Sequence, residues 1–307
     1  MSTVDSMRPA TDGNGHPLSV TERAGADGGY AGPGSVTWRL AREYVLLLGA
    51  GRAVLMQLAH PLVAAGVFQH SNFLSDPLGR SYRTVEFTQI LAFGSRDEVH
   101  AIARHVNRLH RHVTGALGAE AGPYVAEAAY HAQDPTLLLW VYATLVDSAL
   151  AVYPLLVGPI SRAEQRQYYE ETKRTAVLLG VPRAMLPTTL EDFEAYVDAT
   201  LSGSALVVTP AARVLGRQLL ALPLPRALRF AQPLAHYLAE QLTIGFMQPC
   251  LRDLYGYSWG PARQRLFTLG TATIRRLLPL APPRIRYTPW ARRAGADTRH
   301  EADASAR

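Results

Sequence analysis

Residues 134–157 read DPTLLLWVYATLVDSALAVYPLLV, and this stretch decides the class of fold that we expect. Its first residue, Asp134, can accept hydrogen bonds from the free amides at the start of a helix. Pro135 suits the first helical position because its φ angle is already helical. The apolar residues that follow form a run much longer than an ordinary strand. The pattern therefore predicts a long helix from residue 135 to residue 153.

This helix is apolar on nearly every side from Leu137 to Val157, which is typical either of a helix inside a protein core or of a membrane span. Asp147 and Ser148 lie at the centre of the run, and Pro154 lies near its end. A charged residue in the middle of a bilayer is costly, and the sequence shows no second comparable span. We therefore expect a core helix with one buried carboxylate and no transmembrane span, while peripheral contact with a membrane stays open.

The rest of the chain has the same helical character. Apolar residues recur in steps of three and four, and we find no β alternation and no hairpin turn between apolar runs. Ser161 with Glu164 indicates a capping box at a helix start, and Gly180 indicates a helix end. The sequence thus predicts an all-α fold. Besides 135–153, the predicted helices are 36–48, 51–58, 61–70, 80–94, 97–117, 122–131, 161–179, 190–201, 210–221, 231–245, 248–255 and 260–278.

Two polar ends flank the predicted helices. Residues 1–34 and 291–307 are rich in small and polar residues and hold no apolar run, so they can bury little surface. We predict that both are disordered tails on a single helical domain of residues 35–290. The first residues show neither a secretory signal nor a twin-arginine pair, which favours a cytoplasmic location.

The charge and the cysteine content exclude several classes of protein. The net charge is +6, but Lys173 is the only lysine and the arginines occur singly or in pairs. Surfaces that bind nucleic acid usually carry runs of positive charge, so we expect no nucleic acid as a partner. Cys250 is the only cysteine. The chain alone therefore forms no disulfide, no four-thiolate zinc site and no iron–sulfur cluster.

Four histidines lie in the helix predicted at residues 97–117, and the apolar stripe of this helix separates them. One of them, His110, belongs to the stripe and is predicted to point inward. His105 and His112 share the opposite, arginine-rich face, for which solvent exposure is the simplest interpretation. An inward histidine is either a hydrogen-bonded core residue or a ligand, and the residues alone leave both open. The stripe consists of Val99, Ile102, Ala103, Val106, His110, Val113 and Leu117.

The helix predicted at residues 80–94 places cations on an apolar stripe. One face of this helix carries Arg80, then either Arg83 or Thr84, and then Phe87, at spacings of three or four residues. The arginines either extend along the edge of the core to solvent or line a pocket, where they would bind a buried anion such as a propionate. In the second case Thr84 would donate a hydrogen bond to the bound ligand. The spacing alone does not choose between the two interpretations.

Three further patterns do not support a site. Gly49 and Gly51 lack the preceding strand and the spacing of a phosphate-binding loop. His60 and His70 lie on different sides of a regular helix, so a shared metal would require that helix to be broken. Cys250 lacks the surroundings of a haem-thiolate loop.

Four motifs, taken in order, carry a resemblance to a known family. They are QLAHPLVAAGVFQHS at residues 57–71, RSYRT at 80–84, NRLHRHVTG at 107–115 and DPTLLLWVYATLVD at 134–147. Together they resemble the haem-b oxygenases named after latex clearing protein, a rubber oxygenase, and the MpaB enzyme of mycophenolic acid biosynthesis. The resemblance implies a globin-related multi-helix bundle around one non-covalently held haem b. It also implies oxygen-dependent cleavage of carbon–carbon double bonds in isoprenoid substrates.

The resemblance assigns roles to particular residues. It implies that His110 is the proximal histidine that binds the haem iron, and that Arg80 and Thr84 are the polar pair on the distal side. Arg83 stands where latex clearing protein has a lysine that can cap the iron. Because a guanidinium stays protonated and cannot ligate iron, Arg83 implies an open or water-filled distal site. Arg52 or Arg80 is expected to hold the haem propionates.

We therefore predict a haem b-dependent oxygenase that uses molecular oxygen on a hydrophobic, isoprenoid-like small molecule. A haem-binding or oxygen-binding protein without turnover is the alternative, and the sequence does not separate the two. The apolar helices around Trp140 and Phe87 are expected to supply a dry substrate pocket. Tyr142 stands where many family members have histidine, so no role is predicted for it.

Overall fold

The structure is a computed structural model that describes residues 31–73, 75–220 and 226–295, without the side chains of residues 226–228. These residues are mainly helical and hold one two-stranded sheet, so the prediction of an all-α, multi-helix fold is confirmed. The relation to globins stays a prediction. The helices are α1 (Val36–Ala41), α2 (Ala50–Leu58), α3 (Pro61–His70), α4 (Pro77–Phe93), α5 (Arg96–Arg111), α6 (Pro135–Leu156), α7 (Arg162–Leu178), α8 (Leu190–Ser202), α9 (Pro210–Leu220), α10 (Gln232–Phe246), α11 (Pro249–Tyr255), α12 (Pro261–Leu277) and α13 (Pro283–Arg286), with strands β1 (Thr114–Ala116) and β2 (Ala129–His131) and 3-10 turns at Tyr44–Gly49, Arg183–Met185, Arg226–Ala231 and Leu278–Leu280.

The helix α6 is the centre of the molecule. Its first half belongs to the largest hydrophobic cluster, in which Trp140 is 1% exposed and its indole N–H donates to the Met56 carbonyl of α2 at 3.2 Å. Its second half packs on other partners, with Val152 and Leu156 against Phe246. Because neighbours cover α6 on several sides, its sequence is apolar nearly all round.

The burial of α6 also accounts for its length and apolar character, which resemble those of a membrane span. Among the described residues, α6 is the only unbroken helix long and apolar enough to cross a bilayer, and 61% of its most apolar window is buried inside the protein. The segment Tyr44–Leu58 reaches that length only together with α3, across a bend of 107°. The burial of α6 thus agrees with a core helix, and the absence of a transmembrane span stays a prediction.

The prediction of helix at residues 112–117 and 122–131 is wrong. The helix α5 ends at Arg111, and β1 pairs antiparallel with β2, so that Gly115 lies opposite Tyr130. A Cβ at Gly115 would come within 2.5 Å of the Tyr130 hydroxyl, so this close pairing requires glycine. Gly122 and Glu127 have φ angles of +58° and +64°, in the left-handed region that interrupts a right-handed helix.

The domain boundaries stay a prediction, but residues just outside the predicted domain of residues 35–290 are packed in the structure. Ala291 and Ala294 are 7% and 0% exposed and pack with Trp38 and Phe93. Residues 289–295 are helical, so the packed region continues beyond residue 290 instead of ending there. At the other end Ala31 is already buried. The remainder of the two predicted tails, residues 1–30 and 296–307, lies outside the described residues.

The glycines before and within α2 serve helix packing. A Cβ on Gly49 would lie 2.9 Å from a methyl group of Val152 in α6. A Cβ on Gly51 would lie 2.6 Å from the hydroxyl of Thr243 in α10. These distances are shorter than van der Waals contact, so the two glycines let three helices approach closely, which agrees with our rejection of a phosphate loop.

Candidate functional site

The helix α5 presents His110 from its last turn. Ser95 and Glu98 form a capping box that fixes where α5 begins. From that start, Val99, Ile102 and Ala103 are buried, as the apolar stripe predicts. His110 follows on the same stripe and is partly buried.

The imidazole of His110 is neutral at ordinary pH. Burial, and after it the charges of Arg80 and His131, lower its pKa below the usual value. Its Nδ1 atom is buried and has no hydrogen-bond partner among the described residues. A neutral imidazole with a free ring nitrogen is the form in which histidine binds a metal.

The helix α4 brings Arg80 and Thr84 to the same site. Asp76 begins α4 by accepting a hydrogen bond from the Gly79 amide at 3.0 Å. One turn later the Arg80 guanidinium donates to the Thr84 hydroxyl, which in turn donates to the Arg80 carbonyl at 2.9 Å. Arg80 also lies close enough to His110 for its charge to lower the pKa of that imidazole.

Arg80 is a partly buried cation without an anion. Burial, and after it the charge of Arg83, lower the pKa of its guanidinium. Within the described part of the chain no carboxylate forms an ion pair with Arg80, and Thr84 supplies its one side-chain hydrogen bond. A buried charge without a counter-ion is destabilising, so this site favours the binding of an anionic or strongly polar group.

Arg83 and Arg52 are already engaged by the protein. Arg83 donates to Asp76 at 3.2 Å and to Asn72 at 3.3 Å, at the start of α4. Arg52 is 1% exposed and donates to Asp147 at 2.5 Å and to Ser148 at 2.7 Å. The propionate role predicted for Arg52 therefore does not fit the structure, because its guanidinium is buried and links α2 to α6 through these hydrogen bonds.

The other residues singled out by sequence mostly have structural partners. The Tyr142 hydroxyl lies 3.0 Å from that of Thr172, and Tyr142 and Trp140 are both part of the main hydrophobic core. The expectation that Trp140 lines a pocket is thus replaced by core packing. His70 is exposed and hydrogen-bonds the Thr114 carbonyl at 2.9 Å, and Cys250 is exposed on α11.

His60 lies at the sharp corner between α2 and α3. It is 8% exposed, and its Nε2 atom lies 3.0 Å from the Tyr124 hydroxyl. Its Nδ1 atom is buried without a partner among the described residues. Burial lowers the pKa of His60 to about 4. The pair therefore joins the helix corner to the loop that precedes β2, with His60 in the neutral form.

We expect His60 to make stability decrease as the pH falls from 6.5 to about 4. In this window the unfolded chain binds a proton at His60, whereas the folded chain keeps it neutral because burial lowers its pKa to about 4. Above pH 6.5 both states are neutral and the effect vanishes. The linked loss of unfolding free energy is about 3 kcal/mol at most. Urea unfolding at a series of pH values measures it.

A His60→Asn variant is the control for this pH dependence. Asparagine does not titrate, so the variant should keep only the part of the slope that comes from carboxylates and from other histidines, such as His110, whose pKa burial also lowers. If the wild-type and variant slopes between pH 6.5 and pH 4 coincide, His60 is not the cause.

The sequence analysis missed one neighbour of His110 and the partner of His60. His131 was assigned to a helix, although β2 places it where it influences the pKa of His110. Tyr124, the partner of His60, comes from a loop that we also predicted as helix. The Gly122-Pro123 dipeptide is the sequence signal that could have indicated this loop. In the structure Gly122 has a left-handed φ angle.

The site thus combines the partly buried imidazole of His110 with the guanidinium of Arg80, whose charge lowers the pKa of that imidazole, and with the hydroxyl of Thr84. The family model described as "ER-bound oxygenase mpaB/B'/Rubber oxygenase, catalytic domain" matches residues 38–276, and the chain belongs to this family. The resemblance carried by the four motifs is therefore confirmed. The chain is an enzyme of an oxygenase family.

Two mycobacterial relatives are similar to the chain. They are the uncharacterized proteins Rv2237 of Mycobacterium tuberculosis and Mb2261 of Mycobacterium bovis. Each is 28% identical over 233 residues, which is 74% of this chain and 87% of the relative. No solved structure matches the chain.

Proposed function

We propose that the protein is a haem b-dependent oxygenase that acts on a hydrophobic small molecule, with oxidative cleavage of a carbon–carbon double bond as the expected reaction. The observation that carries this proposal is the neutral imidazole of His110, with a free ring nitrogen, within reach of the charge of Arg80. The family match supports the oxygenase class, and the haem and the substrate are our proposal.

The residues of the site fit a haem better than a metal held by side chains alone. Within the described residues there is no group of three or more His, Cys, Asp and Glu side chains that could hold a metal ion. A haem needs only one protein ligand, because the porphyrin itself supplies four nitrogen donors to the iron. His110 would be that ligand. When bound, the haem would supply the iron at which oxygen is activated.

The side chains around the haem site would control polarity and solvent access. Arg80 presents N–H donors that can steady a polar group, and the Thr84 hydroxyl, which accepts from the guanidinium and donates to the Arg80 carbonyl, holds that guanidinium in place. Arg80 would also balance the charge of an anionic group, because the described residues give it no carboxylate. Phe87, one turn after Thr84 on α4, is partly buried and adds an apolar wall.

The visible spectrum of the purified protein tests this proposal most directly. We expect an intense Soret band, or its appearance when hemin is added to protein that was purified without haem. Oxygen uptake in the presence of a hydrophobic extract then separates an oxygenase from a haem-binding protein without turnover. Protein that is folded but remains colourless with hemin would refute the proposal.

An Arg80→Gln variant should still bind haem through His110, but it should bind oxygen more weakly in the reduced state. Hydrogen bonds from charged donors contribute about 1.5–3 kcal/mol, so we expect a loss of affinity of roughly ten- to a hundredfold. Oxygen titration followed by absorption measures the change. The matched control is Arg96→Gln, since Arg96 is exposed in the first turn of α5. Equal oxygen affinity in both variants would contradict the distal role of Arg80.

A further inference from the structure

The last part of the chain carries an unusual charge distribution. Between residues 254 and 296 there are eight arginines and no aspartate or glutamate. Two of these arginines reach back to acidic residues elsewhere, since Arg263 binds Glu240 and Arg286 binds Glu43, each at 2.9 Å. The other six are exposed and form no ion pair within the described part of the chain. They include Arg265, Arg276 and Arg284.

The same segment exposes large apolar side chains. On α12, Leu266, Leu269 and Leu277 are 45%, 67% and 56% exposed. Their spacings of three and eight residues place them on one face of the helix, opposite the buried Phe267 and Thr271. Leu280 and Ile285, just beyond α12, are 79% and 70% exposed.

We call the five exposed apolar residues and the three arginines Arg265, Arg276 and Arg284, which lie on α12 or within eight residues after it, the α12 surface. Each of its arginines directly precedes one of its apolar residues, since Arg265 precedes Leu266, Arg276 precedes Leu277 and Arg284 precedes Ile285. Single exposed apolar residues are common on proteins, but an exposed apolar stripe with a basic rim marks an interaction surface. The combination requires a partner that is both apolar and negatively charged.

We propose that the α12 surface docks on the face of an anionic lipid bilayer. Acyl chains would cover the leucines, and anionic head groups would pair with the arginines, as in amphipathic helices that lie in the membrane interface. A second copy of the chain fits less well, because a symmetric contact would bring like charges together. Docking does not require haem and goes beyond the proposed reaction. It would place the enzyme where hydrophobic molecules concentrate.

Flotation of the full-length protein with lipid vesicles tests this docking. We expect binding to vesicles of phosphatidylcholine and phosphatidylglycerol in equal parts, weaker binding at high salt, and little binding to phosphatidylcholine alone. A Leu269→Gln, Leu277→Gln pair should reduce the partition coefficient roughly tenfold or more. An Arg276→Gln, Arg284→Gln pair should do the same. All four side chains are exposed, so the fold should be kept, and unfolding curves check this.

Matched controls come from another exposed part of the protein. Val177 and Met185 are 42% and 36% exposed, and a Val177→Gln, Met185→Gln pair should leave vesicle binding unchanged. An Arg174→Gln, Arg183→Gln pair removes the same charge at exposed positions and should have a smaller effect than the α12 pair.

Several outcomes would overturn the proposal. They are equal binding to neutral and anionic vesicles, equal binding by the α12 variants and the control variants, or no binding at all. Sedimentation that shows a dimer dissociated by the leucine pair, without vesicle binding, would assign the surface to a second copy. Capture of an acidic protein by the α12 surface, again without vesicle binding, would also refute a lipid partner.

Discussion

Replacing His110 with alanine should abolish the Soret band of the protein while leaving it folded. His110 supplies a neutral imidazole whose Nδ1 atom has no partner among the described residues, and it is only partly buried near the end of α5. Its removal therefore leaves the proposed iron without a protein ligand but disturbs few contacts. Loss of a residue that only hydrogen-bonds a metal ligand can lower metal affinity 10- to 100-fold. Loss of the ligand itself should therefore lower haem affinity by more than about a hundredfold.

Hemin titration followed by absorption, with circular dichroism to check the fold, measures the effect. The matched control is His112→Ala, because His112 is exposed and follows directly after α5. A His110→Gly variant supplied with free imidazole should recover part of the band, which a purely structural role would not produce. A normal Soret band in His110→Ala would refute the assignment.

Replacing Asp147 with alanine should destabilise the protein by about 3–5 kcal/mol, because it leaves a buried cation without its partner. The Arg52 side chain is 1% exposed, and Asp147, Ser148 and the Phe246 carbonyl satisfy its donors at 2.5, 2.7 and 2.9 Å. Without the carboxylate, the charge of Arg52 remains in the core with two neutral acceptors. Urea unfolding at neutral pH measures the loss.

The double variant Arg52→Met, Asp147→Leu tests whether the loss of stability comes from the unpaired charge of Arg52 and not from altered packing at these two positions. It removes both charges and fills a similar volume, so it should regain most of the stability that Asp147→Ala loses. Asp198→Ala, at an exposed position on α8, is the control and should change the unfolding free energy by less than about 0.5 kcal/mol. If Asp147→Ala resembles this control, the buried pair is not essential to stability.

Local signals predicted the helices well. The helix α3 begins and ends at the predicted residues, and α6 begins at Pro135 as its capping signals indicate. Periodicity also identified the buried face of α5 that leads to His110. These features depend on neighbouring residues, which a sequence displays directly.

The contacts between distant segments could not be predicted in this way. The apolar pattern predicted a buried carboxylate at Asp147, whose side chain is instead 23% exposed, and it could not show that Arg52, far earlier in the chain, is its partner. It likewise assigned residues 112–117 to helix, because pairing with β2 decides their conformation. The intrinsic secondary-structure propensity of this segment decides little, so its partner strand determines the structure.

The ion pair between Arg52 and Asp147 also answers a problem that α6 creates. A helix that is apolar on every side can rotate or slide among its neighbours with little change in buried area, so hydrophobicity alone leaves several packings nearly equal in energy. Only one rotation and one axial position of α6 let Asp147 and Ser148 meet the same guanidinium. The polar contact thus removes a degeneracy, and the apolar double variant is expected to lose uniqueness of packing even where it keeps its stability.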